Sequence, residues 1–325
     1  MSKTKIEETS IFKIIFNSIL IYLKNFAPLS KAMLFPVFGQ LIGIALILYP
    51  TFRLSENAAN VLENNFINNN IALLFLGLLL IIIPGFIIFF KAFWEYLVVM
   101  TSLNSMIAEI KKQGSLKSFK TWNQIIKLRS RSYIALISLL SLIWVIGLSL
   151  PVIIIAPKSL SGFGSLSDSL LLVALELISV FIISIISIYL SLSYQVFAFE
   201  NLSPLNTFKK SWLLVEGNFW RTFILGCIVS AITGLLVPGI FQALIANTPL
   251  MSFTVSLFRP FVEILGTNFI NKPDMAYEIS GNAASIAIAT IVTAFMLPLG
   301  SACYTLLYFD IVNRKTLKSK KKVNV

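Results

Sequence analysis

The sequence of 325 residues is 57% hydrophobic and only 12% charged, with a mean hydropathy of +0.87. These values exclude an ordinary soluble domain and predict an all-α integral membrane protein, most of whose length lies in membrane-spanning helices. The chain contains no histidine, the commonest metal ligand and general base, so we expect neither a metal nor any other cofactor.

The first third of the chain contains one amphipathic segment and two apolar ones. Between residues 10 and 26 apolar side chains recur at helical spacing opposite lysines, which predicts a helix on the membrane surface. A first span is predicted over 32–50, where Gly39-x-x-x-Gly43 is typical of closely packed helices. An Asn-rich loop over 57–70 precedes a second span over about 71–91, whose helix is predicted to continue as an interfacial tail to residue 112.

The middle of the chain repeats this order. An amphipathic helix is predicted over 118–130, because Phe119, Trp122 and Ile126 alternate with basic residues at helical spacing. The third span is predicted over 133–156, and the fourth over 170–199.

The third amphipathic helix has the clearest boundaries. Ser203 followed by Pro204 predicts its start, with the serine hydroxyl as N-cap and the proline at the first helical position. Gly217 and Asn218 predict its end, since both tolerate a left-handed backbone. The apolar face is predicted to hold Leu205, Phe208, Trp212 and Val215, opposite Lys209, Lys210 and Glu216.

The last part of the chain completes the set of spans. The fifth span is predicted to reach about residue 246, and an aromatic-rich outer loop follows over 248–278. The sixth span is predicted over 283–308. A basic tail over 313–325 ends the chain.

This order predicts a threefold internal repeat. Tyr133 and Gly147 stand at the same separation as Trp220 and Gly234, and Tyr194 precedes Glu200 by the same interval as Tyr304 precedes Asp310. The predicted architecture is therefore one membrane domain of six transmembrane helices in three hairpins, each preceded by a cytoplasmic amphipathic interfacial helix. The repeat units are predicted at about 10–112, 113–200 and 201–312, followed by the tail 313–325.

The distribution of positive charge predicts the orientation. Of the 26 Lys and Arg residues, 21 fall on the side of the N-terminus and the tail and four on the opposite side, with Lys91 at a span end. By the positive-inside rule both termini are cytoplasmic, as in a bacterial inner-membrane protein. The net charge of +12 is thus a topology signal and a means of holding anionic headgroups; no nucleic-acid partner is expected.

Glu176 is the acid that lies well inside an apolar run, and intramembrane carboxylates are candidates for function. Ser187, Ser191 and Tyr194 fall on or near its stripe by helical spacing, which gives a candidate intramembrane polar site. One interpretation is a proton or cation site. The other is an acid close to the outer interface that is neutral or hydrogen-bonded to a neighbouring span.

A second candidate site is the lipid-facing surface of the third repeat unit. Aromatic rings and long cationic side chains are typical of the boundary between membrane and water. The candidate lipid contacts are Phe208, Lys209, Lys210, Trp212, Trp220 and Arg221.

Four short motifs occur around and after the third amphipathic helix. They are Glu200-x-x-Ser203-Pro204, Phe208 with Ser211-Trp212, Gly217-Asn218-Phe219-Trp220-Arg221, and Leu307-Tyr308-Phe309-Asp310. These motifs resemble the polytopic membrane domain attached to some bacterial glycerophosphodiester phosphodiesterases, and its stand-alone relatives of uncharacterised function. In those phosphodiesterases catalysis belongs to a separate soluble barrel with acidic and histidine ligands, so the resemblance implies the membrane part alone.

The sequence therefore favours a non-enzymatic protein that organises lipid, or an unidentified protein partner, at the cytoplasmic face. A small transporter that uses Glu176 is the alternative. An enzyme acting on membrane lipid is disfavoured, because no acid–base pair and no known catalytic motif is present.

Overall fold

The computed structural model describes residues 9–63, 70–116, 118–159, 166–266 and 273–323. Every regular element in these ranges is a helix. A short π-helical stretch, Ala231–Leu236, joins two of the helices. The helices are α1 (Ile11–Lys24), α2 (Phe26–Glu63), α3 (Asn70–Gln113), α4 (Phe119–Leu128), α5 (Ser130–Ser159), α6 (Leu166–Leu190), α7 (Ser193–Phe199), α8 (Pro204–Val215), α9 (Phe219–Ser230), α10 (Val237–Ile245), α11 (Pro249–Gly266) and α12 (Pro273–Val323).

Six segments of the described chain are long and apolar enough to cross a membrane, which makes this a multi-pass membrane protein. This result confirms the all-α class and the six predicted spans. Within Ser130–Ile154 and Leu170–Phe199 only 6% of the residues in the most apolar window are buried, so most of these side chains lie at least partly on the surface of the chain. The six segments are Phe26–Leu48, Leu79–Gln113, Ser130–Ile154, Leu170–Phe199, Phe219–Ile245 and Tyr277–Thr316.

Two predicted loops are in part helical. Helix α2 runs on through the Asn-rich sequence to Glu63, because extending an existing helix costs much less than starting one. The predicted outer loop contains α11, which begins at Pro249, a residue well suited to the first helical position. Residues 64–69 and 267–272, which complete these two loops, lie outside the described residues.

The chain divides into two compact units. The first unit comprises Met1–Ile21, Thr101–Ile228 and Ser301–Val325, and the second comprises Tyr22–Met100 and Val229–Gly300. These borders differ from the predicted repeat borders, which stay a prediction.

In the second unit α2 and α3 approach each other closely at the predicted glycine pair. A Cβ atom on Gly43 would lie 2.6 Å from the backbone nitrogen of Phe89, and one on Gly39 would lie 2.7 Å from the Cβ of Ala92. Neither position has room for a larger residue, which confirms the predicted close packing.

In the first unit α5 and α6 also pack closely. A Cβ atom on Gly147 would lie 2.6 Å from the Cγ1 atom of Ile183. Near the start of α5, Tyr133 and Phe197 of α7 are buried, and their ring centroids are 5.5 Å apart. These contacts fix the start of α5 against α7.

Candidate functional site

The predicted intramembrane polar site does not lie along one continuous helix. Glu176 and Ser187 are half-buried residues of α6, which ends at Leu190. Ser191 lies in the turn that follows, and Tyr194 belongs to α7. Glu176 forms no hydrogen bond or ion pair with any residue that the structure describes. The break after Leu190 interrupts the helical periodicity on which the predicted stripe depended.

Helix α8 begins and ends where the sequence predicts, but the hydrogen bonds at its N-terminus differ from the predicted cap. It begins at Pro204 and ends at Val215, and Gly217 has the predicted left-handed backbone with φ of +79°. The Ser203 side chain makes no hydrogen bond to the helix, so the predicted hydroxyl cap is wrong. The Ser203 carbonyl instead accepts from the amide and the hydroxyl of Thr207, at 2.9 and 3.0 Å.

The buried face of α8 is not the predicted apolar one. Thr207, Ser211, Leu214 and Val215 are buried, so only Val215 belongs to both sets. Small side chains allow the close approach: the Ser211 hydroxyl donates to the carbonyl of Tyr189 at 2.9 Å. Hydrophobic periodicity missed this face because two of its four residues are polar.

The aromatic residues of the candidate lipid surface remain partly or largely exposed. Trp212 is 42% exposed and stacks on Tyr189 with ring centroids 4.1 Å apart. Trp220 is 70% exposed and meets the ring of Phe219 edge to face. Phe208 of the same set is half-buried.

The three basic residues of the predicted lipid surface have different surroundings. Lys209 is exposed, whereas the Nζ atom of Lys210 lies 3.7 Å from a carboxylate oxygen of Glu200. The Arg221 side chain is only 16% exposed, lies 3.0 Å from Asp310 and also donates to the carbonyl of Thr9. The structure therefore gives Arg221 an internal ion pair in place of the predicted surface position, because Asp310 lies within its reach.

A buried polar cluster that sequence analysis missed joins α3, α7 and α12 in the first unit. The Oδ1 atom of Asn104 accepts from Gln195 Nε2 at 3.0 Å and from Thr305 Oγ1 at 3.1 Å. The Nδ2 atom of Asn104 donates to the Thr101 carbonyl, and the Thr101 hydroxyl donates to Tyr133 at 2.8 Å. This network ties together segments that are up to 201 positions apart in the chain.

The central residues of the cluster follow a spacing that the sequence already contains. Asn104, Gln195 and Thr305 each precede an acid by five positions. That interval is the signal that could have revealed the cluster. The three acids are Glu109, which accepts from Trp122 Nε1 at 2.6 Å; Glu200, which accepts from the Tyr308 hydroxyl at 2.9 Å; and Asp310, which also pairs with Arg314 at 2.8 Å.

The described residues of the first unit also contain an open cavity of about 410 Å³ between the α4–α5 junction and the chain before α8. Its lining is rich in cationic and hydroxyl groups, and no acid lines it. Such a lining can bind an anion. The lining residues are Leu128, Arg129, Ser130, Arg131, Ser132, Asn201, Leu202 and Ser203.

Arg129 fixes one wall of this cavity. Its guanidinium donates to the Phe197 carbonyl at 2.8 Å and to the Leu202 carbonyl at 3.4 Å, and it lies 4.1 Å from the centroid of the Phe197 ring. Burial lowers the pKa of Arg129 from its usual value, although an arginine remains charged at neutral pH. Arg129 thus positions the chain before α8 against the start of α5.

No group of three or more acidic or cysteine side chains in the described residues is arranged to hold a metal ion. No family model matches this chain, and neither a curated protein nor a solved structure matches it.

Proposed function

We propose that this protein is a non-enzymatic, multi-pass protein of the bacterial inner membrane that organises lipid at its cytoplasmic face. The observation that carries the proposal is the exposed aromatic surface of α8 and α9. The rings of Trp212 and Trp220 stay 42% and 70% exposed, and the Phe219–Ile245 span begins beside Trp220. Tryptophan in this position is typical of membrane–water interfaces.

In this proposal both termini are cytoplasmic, and α1, α4 and α8 lie on the membrane surface before three helical hairpins. Three backbone junctions of similar geometry support the repeat. The amides of Asn25, Arg129 and Asn218 each donate to a carbonyl three residues earlier, and their carbonyls each accept from an amide four residues later. The likeness to the membrane domain of certain phosphodiesterases is part of the same proposal.

The lipids of this proposal are anionic. Exposed lysines such as Lys209 on α8 attract anionic headgroups, each by about 1 kcal/mol near the surface. Lys210 contributes less in this proposal, since Glu200 lies close to its ammonium group.

The test measures the depth of Trp212 in the full chain, with the other four tryptophans replaced by phenylalanine. In nanodiscs that contain phosphatidylglycerol, we expect bromine atoms placed near the headgroups to quench its fluorescence most. Quenching by aqueous iodide alone, or strongest quenching by bromine at the bilayer centre, would overturn the proposal.

The Lys209→Gln variant tests whether the charge of Lys209 attracts anionic headgroups. We expect it to reduce the enrichment of phosphatidylglycerol around the protein at low salt and to have little effect at high salt, because salt screens exposed charges. An equal loss at both salt concentrations would show that Lys209 acts through protein folding and not through headgroup attraction.

A further inference from the structure

The cavity between the α4–α5 junction and α8 contains a cation with no partner in the described protein. Arg131 is exposed, lines the cavity, and forms no hydrogen bond or ion pair with any described residue. Its neighbour Arg129 is held against Phe197 and Leu202, so the two guanidinium groups have different tasks. Arg129 stabilises one wall of the cavity, and the guanidinium group of Arg131 is available to bind a ligand.

The rest of the lining is suited to the same kind of ligand. Ser130, Ser132, Asn201 and Ser203 supply three hydroxyls and one amide, and the Ser203 hydroxyl does not cap α8. The guanidinium group matches the geometry of phosphate oxygens through two parallel N–H donors, and hydroxyls complete such a site. The volume of about 410 Å³ lies in the range of small-ligand sites.

The backbone adds to this preference. Helix α5 starts at Ser130, and its first bond runs from the Tyr133 amide to the Arg129 carbonyl at 3.0 Å. The amides of the first turn of a helix have no partner within it, and the positive end of the helix dipole lies there. The cavity is therefore positive from its side chains and from its backbone.

One lining residue indicates how a lipid would enter. Leu128 is 86% exposed at the edge of the cavity, and Ile134 one turn into the α5 span is 51% exposed. An apolar edge beside a cationic cavity suits a ligand that has both a phosphate and an acyl chain.

From these observations we propose that the cavity lined by Arg129 and Arg131 binds a phosphate group, with Arg131 as its principal cationic ligand. The proposal rests on the proposed function for the source of the phosphate, which is then the headgroup of an anionic lipid. Free phosphate has the same chemistry, and the experiment distinguishes the two sources.

The experiment uses the full chain in nonionic detergent, titrated with dioctanoyl phosphatidylglycerol or with inorganic phosphate, and measures the midpoint of thermal unfolding. A ligand that binds the folded state raises this midpoint. We expect phosphatidylglycerol to raise it at a much lower concentration than inorganic phosphate does. Equal potency of the two would assign the site to free phosphate, and no rise with either would overturn the site.

The Arg131→Gln variant tests the assigned ligand. Without ligand it should unfold at the wild-type midpoint, because Arg131 makes no contact that the fold needs. Its apparent affinity for phosphatidylglycerol should fall at least about tenfold, the loss typical of one hydrogen bond to a charged group. Ser132→Ala, a smaller change in the same cavity, should weaken binding less.

Lys120→Gln is the matched control, because Lys120 is exposed on α4 and does not line the cavity. It removes the same unit of charge and should leave the affinity within about twofold of wild type, as expected of a surface substitution. Equal losses in Arg131→Gln and Lys120→Gln would overturn the site and leave the lipid-facing surface intact. If Trp212 lies at headgroup depth but the cavity binds no ligand, this proposal fails and the proposed function stands. If the cavity binds phosphatidylglycerol but Trp212 lies in water, the proposed function fails and the cavity site stands.

Discussion

Gln195 and Asn104 share a hydrogen bond of 3.0 Å although 91 positions separate them in the sequence. Both side chains are almost fully buried, at 4% and 1% exposure. Asn104 also accepts from Thr305, so one amide oxygen joins α3, α7 and α12. Buried polar groups are costly without partners, and this oxygen therefore holds the first unit together at one point.

We expect Asn104→Ala to destabilise the protein by about 2–4 kcal/mol, because it leaves the Gln195 amide and the Thr305 hydroxyl without their acceptor. Unfolding by denaturant in mixed micelles measures the loss. Asn206→Ala is the control, since Asn206 is exposed on α8 and should cost less than about 0.5 kcal/mol. Equal effects of the two variants would show that the cluster contributes nothing particular to stability.

The close approach of α2 and α3 leads to a second prediction. Gly43→Ala places a Cβ atom 2.6 Å from the Phe89 backbone nitrogen, so the helices must separate, at a cost of about 1–3 kcal/mol. Gly77→Ala is the matched control in α3, where a Cβ atom would meet nothing within 4 Å. That variant should be neutral or stabilising by about 0.5–1 kcal/mol, because alanine suits a helix better than glycine. The measurement is the unfolding midpoint of each variant relative to wild type. A Gly43→Ala protein as stable as wild type would contradict the observed packing.

The sequence was most informative where length and spacing determine structure. A bilayer requires about 20 apolar residues for a helix, and the predicted spans meet that requirement. The pair Gly39 and Gly43 likewise predicted a real close contact. Periodicity did not reveal the buried face of α8, because the small polar residues Thr207 and Ser211 form part of it and hydrophobicity does not mark them.

The candidate site was harder to predict, since its parts come from distant segments. Asn104, Gln195 and Thr305 look unremarkable in their own segments, and only folding brings them together. In the sequence, Arg129 and Arg131 are two of the 21 positive charges on the predicted cytoplasmic side. Their different roles depend on the Phe197 and Leu202 carbonyls, whose positions no local pattern specifies.

For Glu176→Gln we expect a nearly silent result. Glu176 is half-buried and forms no hydrogen bond or ion pair with any described residue, and glutamine keeps its shape and one acceptor oxygen. The free energy of unfolding should change by less than about 0.5 kcal/mol, as in the control Glu216→Gln on the exposed end of α8. Flux assays in proteoliposomes with a pH gradient provide the functional readout. A pH-dependent flux that wild type shows and Glu176→Gln lacks would favour the transporter hypothesis over the lipid-organising one.

The orientation of the chain can be tested with paired reporters, one active only in the cytoplasm and the other only outside it. Fusions after Lys112 and Lys322 should be active with the cytoplasmic reporter, and fusions near Asn68 and Gly266 with the external one. The physical reason is that 21 of the 26 Lys and Arg residues lie on the predicted cytoplasmic side, and moving such charges outward is opposed during insertion. Each site is fused to both reporters in separate experiments. A correctly made fusion is then active with one of the two reporters, whereas an unstable fusion is inactive with both. An external C-terminus would remove the cytoplasmic surface on which the lipid proposal depends, whereas the phosphate cavity, which lies within the first unit, would keep its chemistry and face the other side of the membrane.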